Sequence, residues 1–439
     1  MPEPKKHRAQ KQTALIGVIG MRKIISLALA ILILVPIAAG CTNKSSPPLE
    51  TDESEDLVLS NEPVMDPVDM NNQVGFDFAL FRSIVSEDQN KNVVLSPISA
   101  KIALVMAYNG ASGEAKEAMA KVLQLEGLDL DQIDTTYHDL IASLEHADPK
   151  VELEIANSLW ANNVDFLPDF LARCRGYFDA SLDEGDFCDP HTIEAINAWV
   201  SEKTKGKIGK IVEKLTREDL FILLNAVYFS GKWQKAFDPE ETTDQDFRLT
   251  DGSTKKVPTM RRKAEFPYFE NEDFQAVRLP YGDGRLGMSI LLPKEGKDLN
   301  ALIENINIRD WSLWMNSLKN REGHVGMPRF KVEYSKELSD SLISIGMRQA
   351  FEINPELEDS AFGGMAAMDG LVMKRVIQKT HIDVNEEGTE AAAVTGIVIG
   401  VASVPPDDSF IMNIDRPFLF AITDSATQAI LFMGSIVNP

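Results

Sequence analysis

The sequence predicts an α+β fold in which helices pack on large, mostly antiparallel β-sheets. Three observations carry that reading. Apolar residues recur three or four apart in the first half of the chain, runs rich in aromatic and β-branched residues dominate the second half, and no linker or repeat interrupts residues 71–439. Helical spacing covers Met70–Ser86, Ala100–Tyr108, Glu114–Leu123, Asp131–His146 and Thr192–Lys203. Strands follow in LFILLNAVYFSG (220–231), FQAVRLPY (274–281), LGMSILLP (286–293), HVGMPRFKVEYS (324–335), QKTHIDVN (378–385), FIMNIDRPFLFAITD (410–424) and AILFMGSIVNP (429–439), rich in aromatic and β-branched residues and broken by Gly, Pro or Asp. The order is helices early and strands late.

The N-terminal region reads as a targeting signal rather than as part of that fold. Met21-Arg22-Lys23 is a basic start, Ile24 to Ala39 is a run of sixteen apolar or small residues, and Ala38-Ala39-Gly40-Cys41 closes it. Sixteen is short of the roughly 20 residues that a membrane span needs. The run resembles a prokaryotic lipoprotein signal, with Ala38 where Leu is commoner, which makes Cys41 the lipidated residue and the new N-terminus. An uncleaved anchor and an ordinary signal peptide are the other readings, and Met1–Gly20 fits an upstream mis-start. Segment 1–40 is therefore assigned as signal and 41–70, rich in Ser, Pro, Asp and Glu with few aromatics, as a disordered tether. The expected location is outside the cytoplasm, in the cell envelope or beyond it, with contact to a membrane only through Cys41.

Composition excludes several classes of function. A chain of 439 residues with 44% hydrophobic and 25% charged residues can bury a large core, and length alone would allow two or three domains. A net charge of -23 argues against nucleic acid as a partner, because phosphate binding needs clustered Lys and Arg. It also argues against a large basic site for a polyanionic cofactor. Six scattered histidines and three cysteines give no zinc spacing, so no metal or cofactor is expected. Cys174 and Cys188 either pair, as an exported protein permits, or serve as two small buried hydrophobes. GASGE (110–114) is not a nucleophile elbow and reads as a helix–turn–helix junction, and GGMAAMDG (363–370) lacks the Lys and Ser/Thr of a phosphate loop. No catalytic constellation emerges, and the chain is read as a non-enzyme.

Five blocks carry a family resemblance. NVVLSPISAKIALVMAYNGASG (92–113), INAWVSEKTKGKI (196–208), LLNAVYFSGKW (223–233), NEEGTEAAA (385–393) and RPFLFAITDSATQAILFMGSIVNP (416–439) resemble, in order, the signature of the serpins. The resemblance covers residues 71–439 as a single domain and implies the serpin fold with an exposed, mobile reactive-centre loop. That loop is bait for a protease, and after cleavage it enters the main sheet as an extra strand, a known case of strand addition that releases stored strain.

The loop here is EEGTEAAAVTGIVIGVASVPPDDSF, Glu386 to Phe410. Its hinge is Glu386, Glu387, Gly388, Thr389, Glu390, Ala391, Ala392 and Ala393. Side chains alternate between the faces of a strand, so Thr389, Ala391, Ala393, Thr395, Ile397 and Ile399 share one uncharged face and Glu390 falls on the other. The resemblance places the reactive bond sixteen residues after Glu386, at Ala402-Ser403, with Val401 and Val404 as the neighbouring alternatives. A small apolar Ala402 suits the shallow pocket of elastase-like or subtilisin-like serine proteases and has nothing to offer an acidic, trypsin-like pocket. Cysteine proteases also form acyl-enzymes and remain possible partners. Ser96, Ser99 and Asn225 match the polar cluster at the centre of the family's main sheet, with Gln378 where a His is usual, and Trp233 matches an aromatic at the point of loop entry. Arg329 is the expected basic partner of Glu386, in an exposed pair worth at most about 1 kcal/mol. The protein is expected to act as a monomer. A non-inhibitory serpin serving as a binding or scaffold protein is the alternative function, and charged, bulky or proline-containing hinges, its usual marks, are absent.

Overall fold

A computed structural model describes residues 67–352, 360–389 and 409–439. The signal segment, residues 41–66 of the expected tether with Cys41, and the loop from Glu390 to Asp408 with Ala402-Ser403 lie outside the described residues, while residues 67–70, expected in the tether, are helical.

The five helices expected from periodicity are present within a few residues of their predicted bounds. They are α1 (Pro67–Glu87), α2 (Pro97–Tyr108), α3 (Gly113–Leu123), α4 (Leu130–Glu145) and α6 (Pro190–Lys203). Every residue of α2 is buried, which its sequence foreshadows by being apolar on all sides but for Ser99 and Lys101, and Pro97 sits at the first turn where its missing N–H costs nothing. A capping box of Asp129 and Gln132 starts α4. Among the described residues, α5 (Pro168–Phe178), α7 (Leu299–Asn305), α8 (Ile308–Ser317) and two short helices at Ser339–Leu342 and Arg348–Phe351 are found only in the structure.

The strands depart further from expectation. Three precede the predicted set, β1 (Val93–Leu95), β2 (Val151–Asn162) and β3 (Ser181–Gly185), so strands interleave with the early helices rather than following them. Next come β4 (Phe221–Lys232), β5 (Thr243–Arg248), β6 (Thr254–Glu270), β7 (Phe274–Pro280) and β8 (Leu286–Pro293). The run 324–335 is two strands, β9 (Lys319–Pro328) and β10 (Phe330–Glu337), which belong to different sheets and part at Pro328-Arg329. The remaining strands are β11 (Arg375–Val384), β12 (Gly388–Thr389), β13 (Phe410–Asn413), β14 (Phe418–Asp424) and β15 (Ile430–Ile436). Pro417, which has no N–H to give a ladder, lies in the gap that separates β13 from β14.

A nine-stranded sheet runs β1-β15-β14-β8-β7-β6-β9-β13, with β5 paired to β6. A six-stranded sheet runs β10-β11-β12-β4-β2-β3. Most pairings are antiparallel, but β11 lies parallel to β4, β3 parallel to β2 and β13 parallel to β9. One face of the six-stranded sheet rests on the main core. The other is covered by α6 and the segment after it, where Ile196, Val200, Ile208, Ile211, Val212 and Leu215 pack against Ile222, Leu224, Ala226 and Ile377. Burial on both faces explains why β4 reads as a nearly continuous apolar run.

Both described cysteines outside the signal are free. Cys174 is buried on α5, where loss of water pushes its thiol well up, whereas Cys188 is exposed and is not the buried hydrophobe expected for both.

Candidate functional site

The middle of the six-stranded sheet holds a row of polar side chains. Asn157 on β2 is directly opposite Asn225 on β4, and Asn225 is directly opposite Gln378 on β11. Gln378 donates to the Asn225 Oδ1 at 2.7 Å and to the Ser96 carbonyl at 2.9 Å, and its Oε1 accepts from the Ser96 N–H at 2.8 Å. Asn225 donates to the Asn157 Oδ1 at 2.7 Å and to the Ser99 hydroxyl. All five residues are buried. Gln378 thus fills the expected place with bonds that involve no titratable group. Asn157 went unrecognised in the sequence because only strand pairing reveals it.

Above this row β11 and β4 separate, and the hinge begins between them. The two strands are directly paired from Arg375–Thr380 against Ile222–Val227, while higher up Thr389 pairs with both Val384 and Gly231, and Gly388 with Lys232. Gly388 and Thr389, expected in an exposed loop, are therefore buried strand residues of the intact chain. Only glycine fits the first position, since Gly388 has φ 155° and an added Cβ would lie 2.0 Å from the Gly231 carbonyl oxygen.

The chain entering this wedge is held on every side. Asn385 N–H donates to the Gly388 carbonyl, closing a tight turn, and the Trp233 and Phe237 N–H groups donate to the carbonyls of Glu387 and Glu386, each at 2.8 Å. Trp233 Nε1 donates to the Asn385 carbonyl at 2.9 Å, so this tryptophan is more than an apolar filler. The Glu386 carboxylate accepts from Arg329 at 2.5 Å and 2.6 Å and from the Thr242 hydroxyl at 2.5 Å. Its side chain is only 6% exposed against 44% for Arg329. The pair is thus half-buried rather than exposed, and removing Arg329 would leave a desolvated carboxylate with one neutral partner.

Two residues of the hinge environment escaped sequence reading: Thr242, which lies beyond any quoted block, and Tyr281. The Tyr281 hydroxyl is 2.7 Å from that of Thr389, and its ring stacks on Trp233 at a centroid distance of 4.4 Å.

These features define a protein whose main sheet is parted at one end and already holds the first two residues of a further strand. Comparison with known proteins agrees. Residues 71–439 match the family model Serpin (serine protease inhibitor). The chain is 35% identical over 381 residues to leukocyte elastase inhibitor of Bos taurus, covering 83% of this chain and 97% of the relative. It is 36% identical over 371 residues to an uncharacterized serpin-like protein of Thermococcus kodakarensis, with 83% and 84% covered. Among solved structures, the thermophilic serpin tengpin in its native state superposes with a TM-score of 0.78 at 30% identity, covering 85% of this chain and 95% of that one. Human thyroxine-binding globulin complexed with thyroxine gives 0.76 at 26%, with 85% and 98% covered. The chain belongs to the serpin family, whose members include inhibitors of serine proteases.

Proposed function

We propose that this serpin inhibits elastase-like or subtilisin-like serine proteases as a suicide substrate. A protease attacks Ala402-Ser403, its serine becomes an ester with the Ala402 carbonyl, and the amine of Ser403 leaves with the C-terminal segment. The loop then enters the gap between β11 and β4. If entry outruns hydrolysis of the ester, the protease is carried along with it. Thirteen residues separate Thr389 from Ala402, which at about 3.3 Å per residue is roughly 40 Å of travel.

The observation that carries this reading is the register of Thr389. It faces Gly231 on one side and Val384 on the other. Moving six residues along an antiparallel insert takes 389 to 395, 231 to 225 and 384 to 378, so Thr395 would arrive between Asn225 and Gln378. The Gln378–Asn225 bond must open there, and a threonine hydroxyl can both donate and accept in its place. Ala391 and Ala393 would fall on the same inward side, where small side chains let the strands close. The name of the Bos taurus relative supports elastase as a target class, as does the small Ala402.

Incubation with elastase or subtilisin followed by denaturing electrophoresis tests the proposal. A stable adduct of higher mass is the expected product. Clean cleavage without adduct would favour a scaffold role, and repeated turnover would indicate a hydrolase. Mass spectrometry of the released fragment is expected to find Ser403 as its first residue. Ala402→Arg is expected to move inhibition from elastase-like toward trypsin-like enzymes, because a cation gains a partner only in an acidic pocket. Unchanged preference would place the bond elsewhere.

The same proposal includes the tether. Lipidated at Cys41, the inhibitor would act at the cell envelope, with the described fold beginning 26 residues further along at Pro67. Expressed in a bacterium that processes lipoproteins, the protein should incorporate labelled fatty acid and partition into detergent, and Cys41→Ser should abolish both. Labelling that survives the substitution would remove Cys41 from the mechanism.

A further inference from the structure

We propose that Tyr281 is the docking post of the hinge: its phenol holds Thr389 as the first rung of the incoming strand, so that insertion starts from a seeded end. The inference rests on the inhibitory reading above and assigns it a positioning residue. Tyr281 lies just after β7, outside the six-stranded sheet, and meets it through a single bridge to Trp233. Its ring is fixed from several directions. Trp233 stacks on it with planes 13° apart, and Phe229 meets it edge-on at 5.1 Å. Gly231 offers bare backbone to the ring, since an added Cβ would sit 3.1 Å from the Tyr281 Cδ1. The hydroxyl at the end of this held ring reaches Thr389 Oγ1 at 2.7 Å, and both residues are 0% exposed. Burial also pushes the phenol far up its titration range, so the proton that makes the bond stays in place.

The chemistry of a buried hydroxyl pair sets the expected behaviour. Removing one partner leaves the other desolvated and unpaired, whereas replacing both with apolar groups of similar shape is nearly neutral. Gly388 and Thr389 are the whole of β12, so the bond bears on a rung that has few others to support it. Without it the hinge spends more time outside the sheet, and insertion must first recover the docked state. The loop's encounter with the protease happens beyond residue 389 and is untouched.

Tyr281→Phe, Thr389→Val and the double variant form the test, each first checked for an intact thermal transition. For Tyr281→Phe we expect amide hydrogen exchange at 388–389 in the protein alone to quicken by about 2–10-fold, the range given by loss of one neutral hydrogen bond. With elastase or subtilisin, insertion should slow by a similar factor, so that more inhibitor is cleaved per protease trapped, while the rate at which the protease first attacks the loop is unchanged. The double variant should return close to wild type in both measurements. A Tyr281→Phe protein with wild-type exchange and partitioning overturns the proposal. Equal impairment of the single and double variants overturns it as well, because that pattern marks a ring that only supports the core. Should the wild type trap no protease, the inhibitory reading falls and the insertion role with it, and the exchange data alone then decide whether Tyr281 docks the hinge.

Discussion

Cleavage between Ala402 and Ser403 is expected to raise the thermal unfolding midpoint of this protein. A nick normally has the opposite effect, since it frees chain ends and adds conformational entropy to the unfolded state. On the mechanism proposed above, the freed loop becomes a full strand. In the intact chain β11 and β4 pair directly below the hinge, over Arg375–Thr380, and diverge above it. Insertion replaces one parallel ladder by two antiparallel ones, and the added backbone hydrogen bonds offset the cost of ordering the loop. What remains is side-chain burial. Ile397 and Ile399 would enter on the inward face, each worth about 1.5–3 kcal/mol if fully buried. Residues 71–439 number 369, for which the unfolding entropy is on the order of 0.8 kcal/mol per degree, so those two side chains alone correspond to a rise of about 4–8 °C. Differential scanning calorimetry before and after limited proteolysis measures it. A midpoint that stays level or falls after cleavage at this bond would rule out insertion.

Much of the fold was legible because helical periodicity and strand composition report burial directly. The bounds show the range: β8 matches its predicted run residue for residue, whereas α8 was missed although Ile308, Trp311 and Met315 recur three and four apart on it, beside the exposed Leu313. The strand β2 was missed because Glu152 and Glu154 alternate with apolar residues for only a few positions before both faces become buried at Ala156. The split at Pro328-Arg329 was invisible since a single composition serves two sheets.

The site was legible in a different way. Ser96, Ser99, Asn225, Gln378, Trp233, Arg329 and Glu386 were found by resemblance, and the structure brings the first four into one cluster and the last three around one turn. Asn157, Thr242 and Tyr281 were missed because each depends on what lies opposite across a strand pair or a turn. Spacing along the chain has no access to that. The position of Thr389 was misjudged for the same reason: a segment rich in Gly and Ala reads as exposed loop until a parted pair of strands is seen to hold its first two residues.

That position changes the meaning of the most informative substitution. Thr389→Arg would do more than obstruct the loop as it enters the sheet, because Thr389 is fully buried in the intact chain, between Gly231 and Val384 and against the Tyr281 hydroxyl. An arginine there has two choices. It can place a guanidinium among Phe229, Tyr281 and Trp233, where the neighbouring Glu386 carboxylate is already paired with Arg329, or it can leave for water and take Gly388 with it. The first costs several kcal/mol even after relaxation, so the hinge will be withdrawn. Insertion then has to drive the cation back into the gap, and each 1.4 kcal/mol added to that step slows it tenfold. A penalty of about 3–4 kcal/mol therefore means roughly a 100–1000-fold slower insertion. Hydrolysis of the ester at Ala402, thirteen residues away, proceeds at its usual rate. The protease should thus cleave the variant at the same bond, form little covalent adduct and emerge active, and the cleaved variant should lose the thermal gain argued above. Glu390→Arg is the control: strand alternation puts residue 390 on the opposite side from Thr389, and near-normal inhibition is expected. Full inhibitory stoichiometry in Thr389→Arg would mean that residue 389 never enters the sheet between β11 and β4, and both the register and the mechanism built on it would have to be given up.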